Sequence, residues 1–261
     1  MSAIWNTIIL NPVFTLLVLL YKATSNLGWS IIFFTLILKV ILIPLSIPSL
    51  KMSKKQRDIQ PELNVLKEKY KDDKKKQAEM QMELFKKHGI NPASGCLTTI
   101  ITFIILIGIY RAVSMLTMTA STATLNSHIF FPSLQFLQTE SINTRFWYLN
   151  LAKPDPYFVF TIFAVLLQFL ATKMMMPYTE MEEKAAKQTS GKADDIMATM
   201  QKQNLYMMPL MFLIFGITLP SGVMLYIIAT TLFQIVQTYF YSGWGGLKPW
   251  IKKLKFVKRN I

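Results

Sequence analysis

Lys39 stands inside the apolar stretch WSIIFFTLILKVILIP, Trp29 to Pro44, with Thr35 one helical turn before it. A helix from Trp29 to Ile47 would cover roughly 30 Å at about 1.5 Å per residue, the thickness of a bilayer's hydrocarbon core, with Lys39 near its middle. From there a lysine stem of roughly 6 Å cannot bridge the roughly 15 Å to either headgroup layer. A charge left at that depth costs at least about 2.5 kcal/mol, so it calls for water or an anionic partner. The chemistry on offer is electrostatic attraction of an acidic group. Thr35 would complete a polar strip on the same face while Phe33, Phe34, Leu36 and Ile37 turn to lipid or to other helices. A structural cation, bonded to carbonyls freed near Pro44 or to Gln168, is the alternative. Covalent chemistry has no comparable candidate. No span holds a Ser-His pair, paired aspartates or an HExxH string, and Cys96 with only His88 and His128 makes neither a disulfide nor a metal set.

The elements that would position Lys39 follow from hydropathy and charge. The chain is 52 % hydrophobic and several apolar runs reach spanning length, which predicts an all-α integral membrane protein and sets aside a soluble enzyme. Residues 1–28 hold Asn11-Pro12 and the run VFTLLVLLY, closed by Lys22. About 10 to 14 apolar residues predict an outer interfacial amphipathic helix, with a short first transmembrane helix as the alternative. No small-residue cleavage signal follows, so no removed signal peptide is expected. Residues 29–50 are transmembrane helix 1. Residues 51–95 turn polar but keep two helical stripes, Met52, Ile59, Leu63, Leu66 and Tyr70, then Ala78, Met82 and Phe85. With KDDKKK (Lys71 to Lys76) as the turn and Gly89 with Asn91-Pro92 as the stop, they predict a cytoplasmic antiparallel helical hairpin rather than a solvated charged loop. Its root cations Lys54, Lys55 and Arg57 are candidates for capturing a client or a targeting factor.

Residues 96–118 are the second span, with Arg111 placed to snorkel at its far end. Residues 119–156, rich in Ser, Thr and Asn and then aromatic at Phe146, Trp147 and Tyr148, suit an extracytoplasmic loop on the interface. Residues 157–176 are the third span, holding Gln168, and 177–204 a cytoplasmic loop of mixed charge. The last apolar block breaks at Leu219-Pro220-Ser221-Gly222 into spans 205–219 and 222–241. The first arm would cover only about 22 Å, which predicts a thinned bilayer. The second carries Tyr226, Gln234 and Gln237, the two glutamines suited to hydrogen bonding between helices. Met174 to Met176 and Met197 to Met211 suit pliable packing or adaptable apolar contacts. Residues 242–261 are a basic tail with Lys248, Lys252, Lys253, Lys255, Lys258 and Arg259, an anchor on anionic lipid or a contact for RNA phosphates. The +14 net charge is concentrated in the 51–95 segment and this tail, against only Arg145 and Lys153 in 119–156. That asymmetry predicts an outside N-terminus and a cytoplasmic C-terminus.

The strings TLILKVILIPL, QPELNVLKEKYKDD, KKHGINPASGCL, LAKPDPY and LPSGVMLY together resemble the YidC family of membrane-protein insertases and its mitochondrial and chloroplast relatives. The resemblance covers nearly the whole chain. It implies five transmembrane helices around a hydrophilic groove in the inner leaflet of the bacterial plasma (inner) membrane. Through that groove clients insert without covalent catalysis, alone or with the Sec translocon. Lys39 then stands where arginine is usual, and keeps the charge but loses the forked guanidinium. Thr35, Gln168 and Tyr226 match groove positions, Gln234 and Gln237 a secondary one, and Ile227 departs from a further aromatic. The large extracytoplasmic domain of some members is absent between Lys22 and Trp29. The implied partners are nascent membrane proteins and the lipid bilayer, with the Sec translocon, the signal recognition particle pathway and, through the basic tail, the ribosome as further candidates. No cofactor or metal is implied. A transporter using Lys39 is the rival, but the spans show no internal repeat and no intramembrane carboxylate relay.

Overall fold

The computed structural model describes residues 2–70, 73–90, 93–117, 121–136, 141–175, 196–248 and 250–251. Lys71 and Asp72 of the predicted turn, Asn91-Pro92, Met176, most of the 177–204 loop and the tail beyond residue 251 lie outside the described residues. The fold is helical. A short helix Ser2–Trp5 and a π-helical segment Asn6–Leu10 lead into α1 (Asn11–Thr24), followed by α2 (Leu27–Ile41), α3 (Ile43–Asp58), α4 (Gln60–Lys69), α5 (Lys74–Lys87), α6 (Ala93–Thr117), a short helix Thr122–Asn126, α7 (Val159–Met175), α8 (Ile196–Thr218) and α9 (Ser221–Ser242). The one sheet among the described residues pairs β1 (Arg145–Phe146) antiparallel to β2 (Leu149–Asn150).

Three described helices are long and apolar enough to cross a bilayer: Asn6–Thr24, Ile100–Thr117 and Ser221–Ser242. The pair α2 and α3 makes a fourth if its broken halves count as one span, and α7 and Leu205–Thr218 are shorter apolar helices. Two expectations change. The N-terminal apolar helix is 19 residues long, because Asn11-Pro12 is absorbed at the first turn of α1, where a proline costs nothing. The predicted continuous helix from Trp29 to Ile47 is broken at Leu42. Pro44 has no N–H to offer the carbonyl four residues back and its ring crowds that turn, so α2 stops at Ile41. Lys39 therefore lies in the last turn of α2.

The chain divides into two compact units. The first comprises Met1–Ile43, Thr99–Gln168 and Met207–Phe233. Phe14, Leu17 and Val18 of α1, Leu27, Ile31 and Phe34 of α2, Ile109 and Val113 of α6, and Val223 and Met224 of α9 are all buried in it. Gly222 is glycine because a Cβ there would meet Val113 at 3.1 Å and the Leu151 carbonyl at 3.2 Å. At one end of this unit the segment 121–158 is tied to the helix ends by polar bonds. Asn26 caps α2 by accepting from the Gly28 and Trp29 amides, and its side chain donates to the Arg145 carbonyl (2.9 Å). The Asn143 amide donates to the Tyr21 hydroxyl (2.8 Å), and the Ser221 hydroxyl to the Asn150 and Lys153 carbonyls (2.9 and 2.8 Å).

The second unit comprises Pro44–Thr98, Phe169–Tyr206 and Gln234–Ile261. Within it α4 and α5 pack around Ile59, Leu63, Phe85 and Ile90. Pro61 in the first turn of α4 explains the interruption at Ile59, and Asp73 caps α5 by accepting from the Lys76 amide. Gly89, at φ +62, turns the chain so that the Ile90 amide reaches the Phe85 carbonyl (2.8 Å). The stripes are shorter than the sequence periodicity suggests. Met52, Leu66 and Tyr70 are half-buried, while Ala78 and Met82 are exposed, so the pair is packed only at its base. The apolar part of α8 begins at Leu205, as expected, but the helix starts earlier, at Ile196, and carries Pro209 inside it.

Candidate functional site

Lys39 and Thr35 do share a face of α2, one turn apart, yet their environments differ. The exposed stripe of α2 is Trp29, Phe33, Leu36, Ile37, Val40 and Ile41, and its packed face includes Ile31, Phe34 and Thr35. Lys39 falls on the flank between the two and is half-buried. No hydrogen bond or ion pair to its ammonium is formed among the described residues. Lys39 lies in the last turn of α2, where the end of a helix dipole contributes about 0.3 to 1 kcal/mol to a nearby cation. That falls short of the roughly 2.5 kcal/mol or more that a charge costs inside a bilayer.

The other residues singled out from the sequence are packed within the fold. Thr35 is fully buried and its hydroxyl donates back to the Ile31 carbonyl at 2.6 Å, the usual self-satisfaction of a threonine within a helix. Gln168 is 8 % exposed and its carbonyl oxygen accepts from Thr231 on α9 at 3.4 Å. Tyr226 is buried, as is Ile227. Gln234 donates to the Met175 sulfur (3.4 Å) and Gln237 to the Ser46 hydroxyl (2.6 Å), so both bond between helices.

Lys54 and Lys55 are exposed and free to meet a partner. Arg57 is not. Its guanidinium donates to the Ser242 carbonyl at the end of α9 (3.1 Å), and burial lowers its pKa while Asp58 raises it. Gly245, at φ +45, lies against the Met174 carbonyl and the same guanidinium, where any side chain would collide. Arg57 thus clasps two chain segments. Sequence periodicity had no means of pairing it with a carbonyl far along the chain.

Asp155 was missed by sequence reasoning, although it stands just ahead of an apolar run, where a helix cap belongs. It is 1 % exposed, caps the start of α7 through the Tyr157 and Phe160 amides (3.1 and 2.7 Å), and accepts from the Tyr148 hydroxyl (3.2 Å). Burial, and then the Asp155 carboxylate, push the Tyr148 hydroxyl up to about 12. No group of three or more His, Cys, Asp or Glu side chains among the described residues is placed to hold a metal ion.

Residues 19–244 match the family model described as 60Kd inner membrane protein. The chain is 32 % identical to the membrane protein insertase MisCA of Bacillus subtilis over 95 % of its own length and 81 % of that protein. It is 31 % identical to the membrane protein insertase YidC of Campylobacter jejuni over 90 % of its length but only 38 % of that protein. Its backbone resembles that of a crystal structure of an active YidC insertase with its first transmembrane domain resolved, at a TM-score of 0.57 and 26 % identity. That match covers 88 % of this chain and 46 % of the other, so this chain spans less than half of the longer relatives. The short and the long relatives share the same helical region, and on that region the chain belongs to the 60Kd inner membrane protein family, that of the YidC insertases.

Proposed function

We propose that this protein inserts membrane proteins by drawing acidic segments of the client to Lys39 through a hydrated, inner-leaflet groove. The observation that carries this is the half-buried ammonium in the last turn of α2, beside a lipid-facing stripe and without an acidic partner among the described residues. The family's insertases are not enzymes, and a charge that attracts but forms no bond fits such a role. Lys39 makes the contact, while Thr35, Gln168 and Tyr226 hold the helix packing that positions it. The broken span of α2 and α3, the three long apolar helices and the short apolar stretches of α7 and α8 are compatible with five spans and a locally thinned bilayer. The cation-rich segments 51–95 and 242–261 favour the cytoplasm, with the N-terminus outside. On that topology the α4–α5 pair is a cytoplasmic hairpin whose exposed root cations, Lys54 and Lys55, receive clients. Nascent membrane proteins and the bilayer are the primary partners, and the Sec translocon, the signal recognition particle pathway and the ribosome the further ones.

Translocation of clients with acidic or neutral tails into vesicles reconstituted with equal amounts of each variant tests this. Lys39→Arg should keep the activity, and Lys39→Ala should lose most of it for acidic tails and little for neutral ones. Equal performance of the alanine variant on acidic tails would remove Lys39 from the mechanism. Deleting Gln60 to Lys87, which spares the Arg57 clasp, should leave translocation of a vesicle-bound client intact and impair only its delivery.

A further inference from the structure

Trp147 adopts a backbone conformation that tryptophan rarely takes, φ +53, with its side chain 82 % exposed. It is the first residue of the two-residue turn joining β1 to β2, where Arg145 faces Asn150 and Phe146 faces Leu149. A left-handed residue at this place is ordinarily glycine, because a Cβ crowds the next carbonyl. Strain of this kind persists only where the surroundings enforce it. Here both neighbours do. The Phe146 ring fills the space beside Gly28 that any larger residue would need, and meets Trp29 edge-on at 5.9 Å. On the other side, Tyr148 is held by its hydroxyl on buried Asp155 and by the Phe160 ring at 5.9 Å. The Trp147 ring meets the Tyr148 ring edge-on at 5.1 Å and the Phe160 ring at 6.4 Å, and the rest of it points outward.

What Trp147 meets is indicated by the residues around it. Exposed Trp29 and Phe33 continue from the turn along the lipid-facing stripe of α2, and exposed Tyr157, Phe158, Val159 and Ile162 along α7. The flanking charges are of one sign. Arg145 is exposed opposite Asn150, and Lys153, also exposed, bonds through its amide to the Asn150 carbonyl (2.9 Å). Asp155, the one acid described between residues 141 and 158, is buried and spent on caps. Aromatic rings above apolar stripes, ringed by cations, match the headgroup level of a bilayer, where indole sits at the boundary and phosphates attract Lys and Arg.

We propose that the Trp147–Tyr148 turn is a phospholipid anchor, with the indole seated at headgroup level and Arg145 and Lys153 holding lipid phosphate. It sets the height of α2 and α7 in the bilayer and stands independently of the role of Lys39.

The full chain in phosphatidylcholine or phosphatidylglycerol vesicles tests this, with acyl chains brominated near the headgroup or near the bilayer centre. Subtracting the emission of Trp147→Tyr from that of the unaltered protein isolates Trp147. Its emission should be quenched by shallow bromines and little by deep ones or by iodide in the buffer. Quenching by iodide alone would overturn the proposal, as would shielding from all three quenchers, the mark of a covering protein or second copy. In Arg145→Gln/Lys153→Gln the stronger shallow quenching expected in phosphatidylglycerol should be lost, and its persistence would overturn the phosphate contact. Trp147→Gly relieves the backbone and should melt higher than the parent in detergent but not in vesicles. An equal gain in both media would overturn the anchor.

Discussion

Two polar stretches interrupt the apolar helices, and they are stabilised in opposite ways. The described residues of segment 121–158 contain little regular structure, yet several of their carbonyls and amides are bound by side chains: Asn26, Tyr21 and Ser221 from distant helix ends, Asp155 from within. The α4–α5 pair is regular helix over most of its described residues, and among these it packs on Ile59, Leu63, Phe85 and Ile90 with Leu84 against them, beside an exposed His88–Glu62 contact of 3.1 Å and Lys76 over the Tyr70 ring at 5.8 Å. An exposed pair of that kind contributes about 0 to 1 kcal/mol. The first region has its backbone groups satisfied by the rest of its unit, so it cannot move without breaking bonds to helices. The second satisfies its backbone internally, so it can move as a body.

Asp155→Ala should produce the largest change. It removes the charged acceptor of two part-buried amides and of the Tyr148 hydroxyl, at a cost on the order of 4 kcal/mol. Amide exchange should rise across 143–160 with a lower melting temperature, while exchange in 60–87 stays as before. A parallel rise in both regions would break the distinction between them.

Leu63→Ala removes one of four core residues of the pair, about 2 to 3 kcal/mol. That exceeds what so small a core holds in reserve, so amides of α4 and α5 should exchange as in an open chain while 143–160 keeps its protection. Ser221→Ala is milder, about 1 kcal/mol. The Lys153 carbonyl still accepts from the Ser221 amide, and the Asn150 carbonyl from that of Lys153. Faster exchange at Ser221 and Gly222 is the measurement.

The smallest effect is in pH. The Tyr148 hydroxyl is raised above the usual 10 to about 12 in the fold, so its contribution is complete below pH 10 and is lost as pH rises through about 12. Tyr148→Phe should remove one late-titrating group from the Tyr absorbance, together with any loosening of 143–160 in that window.

How far the sequence reached can be judged residue by residue. The apolar runs, the turn at Pro220, the helical character of 60–87 and the isolated Lys39 are legible because they depend on local composition and period: hydropathy over a span, a proline's missing N–H, a charge among aliphatics. The break at Leu42 was written in Pro44, but whether proline kinks or ends a helix depends on what packs beside it. Thr35, Gln168 and Tyr226 could be placed on helices and not on faces, since a polar residue in an apolar run reads the same whether it lines water or bonds a neighbouring turn. Arg57 on Ser242, Gln237 on Ser46 and Ser221 on Asn150 join residues far apart in the chain. No spacing rule connects them. Sequence alone determined that several helices are apolar enough to cross a membrane and that one apolar helix carries a lysine. Only the tertiary structure decided which polar groups are consumed within the fold and which remain to act, because hydrogen bonds are assigned by distance in space and not by separation along the chain.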